Sequence, residues 1–188
     1  MDLAASQADA RPRGLLSDLG VAGIGLRSVK NIAADHELLR ARRSGKIIVE
    51  YGRLRSVCGR WWPHCGNMMQ VLWDMNFRPV CRDRCELYYH IPWGAPGFIT
   101  LSYVHSGPAT SMGTLYAGAL VLDEIARLKQ SQAIVCHVTN DRISDRILTR
   151  WGWQQHCLDW AGRHFIKRFY GKYPAVSSHW SERLTFGR

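Results

Sequence analysis

Apolar positions in this chain follow two rhythms. From Met112 to Lys129 they recur at steps of three and four, at Met112, Leu115, Ala119, Leu122 and Ala126. That spacing predicts a helix with one apolar stripe. Ser111 stands where an N-cap belongs, and Asp123 and Arg127, four apart, read as a surface ion pair. Elsewhere the apolar residues come in short β-branched and aromatic runs. KIIVEYGRL (46–54), CELYYHI (85–91), GFITLSYVH (97–105) and AIVCHV (133–138) each predict a strand.

Weaker patterns fill the gaps. A helix is expected over 32–43, ended by Gly45, and another short one around 67–74. GVAGIG (20–25) has glycines but no strand before it, so it reads as a loop and not a dinucleotide cradle. PWGAPG and SGPATS read as turn and loop. Residues 141–151 predict a short helix with Ile143, Ile147, Leu148 and Trp151 inward and its arginines outward; Gly152 stops it. WQQHCLDW, the turn AGR and HFIKRFYG then make a hairpin. Strands alternating with helices and closed by a hairpin imply an α/β (α+β) architecture: a mixed sheet flanked by helices. We expect a disordered leader at 1–14, a single domain over 15–174 and a C-terminal tail at 175–188.

Length and composition bound the function. The chain has 188 residues, 46% of them hydrophobic, which supports one folded core. No run of about 18 apolar residues suggests a membrane span, and the polar leader does not read as an export signal, so a cytoplasmic location is expected. The net charge of +10 favours an anionic partner such as nucleic acid, a phosphorylated cofactor or acidic lipid. The charge is spread along the chain, densest at 40–46 and 164–172. Of the six cysteines, Cys136 sits in an apolar run and reads as core. Cys58, Cys65, Cys81 and Cys85, with His64, have the ligand types for zinc, but their spacings are wider than the usual tight pairs. Unligated thiols are the expectation.

The stretch TNDRISDRILTRWGW (139–153) raises the sharpest question. A buried strand passes at once from Asn-Asp into a basic helix, with Asn140 or Asp141 placed to cap it. Asn140, Ser144, Arg146, Ile147, Leu148, Gly152 and Trp153 follow one another as they do after the fifth strand of the GNAT superfamily, the acyl-CoA-dependent N-acyltransferases. The order of elements from Gly97 to Tyr170 resembles the same fold. In that fold a strand leads through a phosphate-binding loop into a long helix, and the next strand splays away from the first. Three departures stand out. The stretch from Asn140 to Gly152 is one residue longer than the family's usual spacing. TSMGTLYAG (110–118) lacks the family's leading Arg or Gln and has Leu115 at its second small position, and no tyrosine lies between Asn140 and Trp153 to serve as general acid.

The resemblance implies a centrally splayed sheet and transfer of an acetyl or other acyl group from acetyl-CoA or another acyl-CoA to an unidentified amine. It places the thioester cofactor at Ser111, Met112, Gly113 and Thr114, where a helix N-terminus favours phosphate, and at Asn140 and Ser144. His105, at a strand exit, is the candidate general base; a plain turn histidine is its other reading. Tyr103 either points to the cleft beside it, if strand alternation puts the two on one face, or belongs to the core. Tyr88, Tyr89, Trp61 and Trp62 either line an acceptor pocket or belong to the core. His137 reads as a packing histidine, and Arg163 and His164 as surface. Two other functions remain: a catalytically inactive binding module of this fold, suggested by the altered phosphate loop, and a basic nucleic-acid-associated protein, suggested by the charge and the interleaved aromatics.

Overall fold

In the computed structural model, residues 27–59, 82–139 and 143–185 are described. The elements run β1 (Ser28–Val29), α1 (His36–Ala41), β2 (Ser44–Glu50), β3 (Arg53–Gly59), β4 (Arg84–His90), β5 (Phe98–Ser106), α2 (Met112–Leu128), β6 (Ala133–Val138), α3 (Asp145–Arg150), β7 (Gln154–Gln155), β8 (Arg163–Arg168) and α4 (Ser178–Leu184). The strands form one eight-stranded sheet in the order β1-β3-β2-β4-β5-β6-β8-β7. Every neighbouring pair is antiparallel except β5–β6, which is parallel. A parallel pair needs a crossover, and α2 supplies it. The expected mixed, splayed sheet flanked by helices is what the chain forms.

The long helix packs across β2, β3 and β4. Its buried residues, Leu122 and Ile125 among them, meet Ile47, Val49, Leu87, Ile99 and Ile134 in one core. Gly118 lets the helix approach so closely: a Cβ there would lie 2.5 Å from Leu87 Cδ1. At the helix start Ser111 Oγ accepts from Thr114 N at 3.1 Å, the expected cap.

Several expectations need correction. The run 46–54 is two strands, because Tyr51 and Gly52 both adopt positive φ, 51° and 67°, in a two-residue hairpin turn. The first helix is confined to 36–41, where Lys129 Nζ donates to Leu39 O at 2.6 Å and Arg40 O at 2.9 Å and so caps its end. Asp123 is not on the surface. It is buried, and Lys167 Nζ on β8 reaches its Oδ2 at 2.6 Å, while Arg127 pairs with Glu124 at 2.6 Å. Four-residue spacing showed a possible pair, but the wide buried face of α2 took one member inward.

The short helix begins at Asp145, with Ser144 at the N-cap position. The proposed caps Asn140 and Asp141 lie outside the described residues, as do the expected helix at 67–74 and Cys65 and Cys81. At its other end Gly152, φ 88°, allows Gly152 N to donate to Thr149 O and Trp153 N to Leu148 O, both at 3.0 Å. This closes the helix as its glycine predicts, and Trp153 and Leu148 join the core together. Beyond residue 174 the chain forms α4, whose Leu184 is fully buried and whose Trp180 meets Tyr116 edge-on at 5.7 Å.

Candidate functional site

The two parallel strands stay together for only a short distance. β5 and β6 pair from Phe98–Ala133 to Leu101–Cys136, and there their ladder ends although β5 continues to Ser106 and β6 to Val138. The cause lies on the other side of β5. Opposite β4 the register jumps from Tyr89–Leu101 to Tyr88–Tyr103, leaving Ser102 as an extra residue. A bulge of this kind bends its strand and increases its twist. Ser102 Oγ is held by His90 Nδ1 at 2.7 Å.

The strands therefore diverge as a wedge. A cavity of about 70 Å³ occupies it, with Leu101 and Val104 on one wall, Val138 on the other, and Leu115, Leu148 and Trp153 closing it from the helices. The bulge also explains why Leu101 and Val104 share this face, which simple alternation would forbid.

The helix α2 lines this cavity from Leu115, one turn after its N-cap Ser111. Ser111, Met112 and Gly113 are exposed. A side chain at Gly113 would meet only Ser111 Oγ, at 3.8 Å. Thr114 is different: it is fully buried, and its Oγ1 accepts from Gly52 N at 2.9 Å, binding the helix to the β2–β3 turn. A carboxylate already faces this helix end. Asp83 Oδ1 accepts from Ser111 N at 2.8 Å, and Oδ2 from Ser111 Oγ at 2.9 Å. Burial opposes ionisation of Asp83, but the hydrogen bonds from Ser111 and Thr114 outweigh it and hold its pKa below the ordinary carboxylate value. Nothing in the spacing of the sequence announced this, since Asp83 and Ser111 meet only through the β4–β5 hairpin.

Ser144 is exposed at the head of α3, and its side chain makes no capping bond. Asp145 beside it accepts from Arg163 Nε at 2.9 Å, and Arg163 Nη2 donates to Ile143 O at 2.7 Å. Arg163 is thus half-buried and ties α3 to the closing hairpin, where a free surface residue was expected. His105 is half-buried on the face of the sheet away from α2, with the Tyr103 ring 6.4 Å from its own. Its register partner Glu86 is engaged elsewhere, by Arg84 Nε at 3.1 Å, Lys46 Nζ at 3.3 Å and Tyr88 Oη at 2.8 Å. Burial raises the pKa of Glu86, and these partners more than reverse it.

His137 is the residue the sequence concealed. It is exposed, not packed inside, and it lines the cavity at the point where β5 and β6 part. Its ring lies on that of His164 with centroids 4.4 Å apart and planes 11° from parallel. His164, expected at the surface, is half-buried by that stack. A strand period of two placed His137 and Cys136 on opposite faces, but only the end of the ladder shows that His137 borders an opening.

No protein-family model and no curated protein matches the chain. Among solved structures, nourseothricin acetyltransferase is similar at a TM-score of 0.37 and 13% identity, over 77% of this chain and 98% of that one. That likeness is too loose to carry a residue or an activity across.

Of the candidate acceptor aromatics, Tyr89 is core, 1% exposed against Gly45, and Tyr88 is tied to Glu86. Trp61 and Trp62 lie outside the described residues. Cys85 and Cys136 are buried thiols, pushed up to about 12 by that burial, and no group of three metal-ligating side chains occurs among the described residues. No helix among them is long and apolar enough to cross a membrane.

Proposed function

We propose that this protein is an acyltransferase that moves an acyl group from acetyl-CoA or a related thioester to an amine. The observation that carries the reading is the wedge: two parallel strands that part after Leu101–Cys136, with an apolar cavity between them that the first turn of the long helix lines through Leu115. The chemistry such a site must supply is modest. An amine attacks a thioester carbonyl, so the main tasks are to hold both reactants together and to stabilise the oxyanion. Strand edges that have left their ladder offer backbone donors for the thioester arm. The apolar walls, Val104 and Val138 among them, exclude water from it. The exposed turn Ser111–Gly113 is the seat for the anionic end of the donor. Ser144, at the head of α3, and Asn140 are the further candidates for donor contacts, and His105 is a candidate base.

The experiment is calorimetric titration with acetyl-CoA, repeated on Gly113→Glu. The open space around Gly113 accepts a glutamate without displacing the fold, so the variant changes charge and not structure. Micromolar binding lost in the variant supports the reading. No binding by the unaltered protein refutes it.

A second reading has its own observation. Asp83 already occupies the helix end that the donor would use. A non-catalytic module that keeps the fold would have that arrangement. It predicts that acetyl-CoA is bound weakly or not at all and that no amine is acylated.

A further inference from the structure

We propose that the acceptor is an amine carrying a planar ring, which stacks on Trp160 while its nitrogen lies at His137, and that His137 takes the proton this nitrogen gives up. The inference rests on the thioester reading of the wedge and adds the class of acceptor and the residue that activates it.

Two features of the outer face of the wedge, the one away from α2, lead here. The first is a ladder of rings. Trp160, in the loop between β7 and β8, is 65% exposed and stands edge-on to His164 at 5.6 Å and 87°. His164 in turn lies flat on His137 at 4.4 Å. The ladder is fixed in place: His164 Nε2 donates to Ala161 O at 3.0 Å. Gly162, at φ 101°, brings the loop down so tightly that a Cβ there would lie 2.4 Å from His137 Nε2. Only glycine permits that approach. Leu158, 78% exposed in the same loop, extends the apolar surface, and Asp159 between them adds an exposed negative charge suited to an incoming ammonium group. An edge-on indole keeps its faces open, and an aromatic ring prefers such a face.

The second feature is position. His137 follows directly on Cys136, the last residue of β6 paired with β5, so it stands at the apex of the wedge while still paired to His164 of β8. His105 comes four residues after Leu101, where the strands have already separated. Among the described residues the ring nitrogens of His137 make no hydrogen bond, whereas His164 has committed one to Ala161. A reactive carbonyl buried at the apex is thus nearer to His137 than to His105.

The step balances as follows. The amine arrives as an ammonium ion and passes one proton to His137 Nδ1, the ring nitrogen that Gly162 does not approach. Its lone pair then forms the C–N bond at the thioester carbonyl carbon. The C–S bond breaks, and the second amine proton passes to the departing sulfur. The products are the amide, the free thiol and a protonated His137, which returns its proton to water.

The test measures thiol release from acetyl-CoA by the full chain with tryptamine and with butylamine, for the unaltered protein and for Trp160→Ala, His137→Gln and His105→Gln. Acetyl-CoA binding is titrated separately for each. We expect tryptamine to be preferred in kcat/KM by about tenfold, since ring stacking is of that order. Trp160→Ala should erase that preference through KM alone. His137→Gln should lower kcat by about a hundredfold or more with acetyl-CoA affinity unchanged, a larger loss than His105→Gln produces. Equal use of the two amines, a preference that survives Trp160→Ala, or a loss confined to His105→Gln overturns the proposal while leaving the thioester site standing. Failure of the unaltered protein to bind acetyl-CoA overturns both. All three side chains are exposed or half-buried, and an unchanged unfolding midpoint in each variant separates these outcomes from misfolding.

Discussion

Replacing Asp83 by asparagine asks whether the long helix's N-terminus is the anion seat. In the folded chain the carboxylate accepts from Ser111 N at 2.8 Å and from Ser111 Oγ at 2.9 Å. Asparagine keeps one carbonyl acceptor and removes the charge. At about 5 Å in water each pair of unit like charges repels by about 0.8 kcal/mol. A diphosphate bringing two charges to the same turn would therefore be relieved of about 1.6 kcal/mol, and acetyl-CoA should bind roughly tenfold more tightly to Asp83→Asn. The same change weakens a helix cap, at a cost of about 1 kcal/mol, or a midpoint some 2–4 °C lower for a chain of this size. Because the pKa of Asp83 is depressed on folding, its contribution is present above the unfolded value of 3.8 and is lost as pH falls through the folded one. The stability difference between the two proteins should therefore vanish in acid. Titration calorimetry at neutral pH and denaturant unfolding from pH 7 downward read both quantities. Unchanged or weaker acetyl-CoA binding in a folded Asp83→Asn protein would show that no anion sits on this turn, and the placement of the donor would be wrong.

Three further outcomes follow from packing. Gly118→Ala puts a methyl group 2.5 Å from Leu87 Cδ1 in a filled core, so denaturant unfolding should show a loss of about 1–3 kcal/mol; a neutral result would mean that α2 is free to lift from β4. Lys167→Met strands the buried Asp123 carboxylate and should cost about 3–5 kcal/mol, whereas the double change Asp123→Leu with Lys167→Met should recover most of it; equal losses in the two would deny that an unpaired charge is the cause. Burial pushes Asp123 up to about 6 against the pull of Lys167. A raised carboxyl contributes stability that is complete below 3.8 and lost as pH rises through about 6, so Asp123→Asn should flatten the pH dependence of stability across that window.

The sequence by itself determined the elements of the second half. The helix at 112–128 and the strand at 133–138 emerge almost residue for residue, because a capped helical run and a short β-branched run are local signals, although burial of the helix reaches well beyond the stripe its spacing marks. Gly152 likewise declared the end of its helix, since the left-handed turn it makes is a local matter. Tertiary structure decided everything that depends on which strands meet and where they stop meeting. An extra residue at Ser102 shows no sign in composition, yet it bends β5, turns Val104 toward the cavity and opens the wedge. Asp83 and Ser111 lie 28 residues apart and become cap and helix only through a hairpin. His137 could be placed on a strand from sequence. Whether it packed inside or bordered an opening depended on the ladder ending one residue earlier, and on the loop that Gly162 lets fall across it.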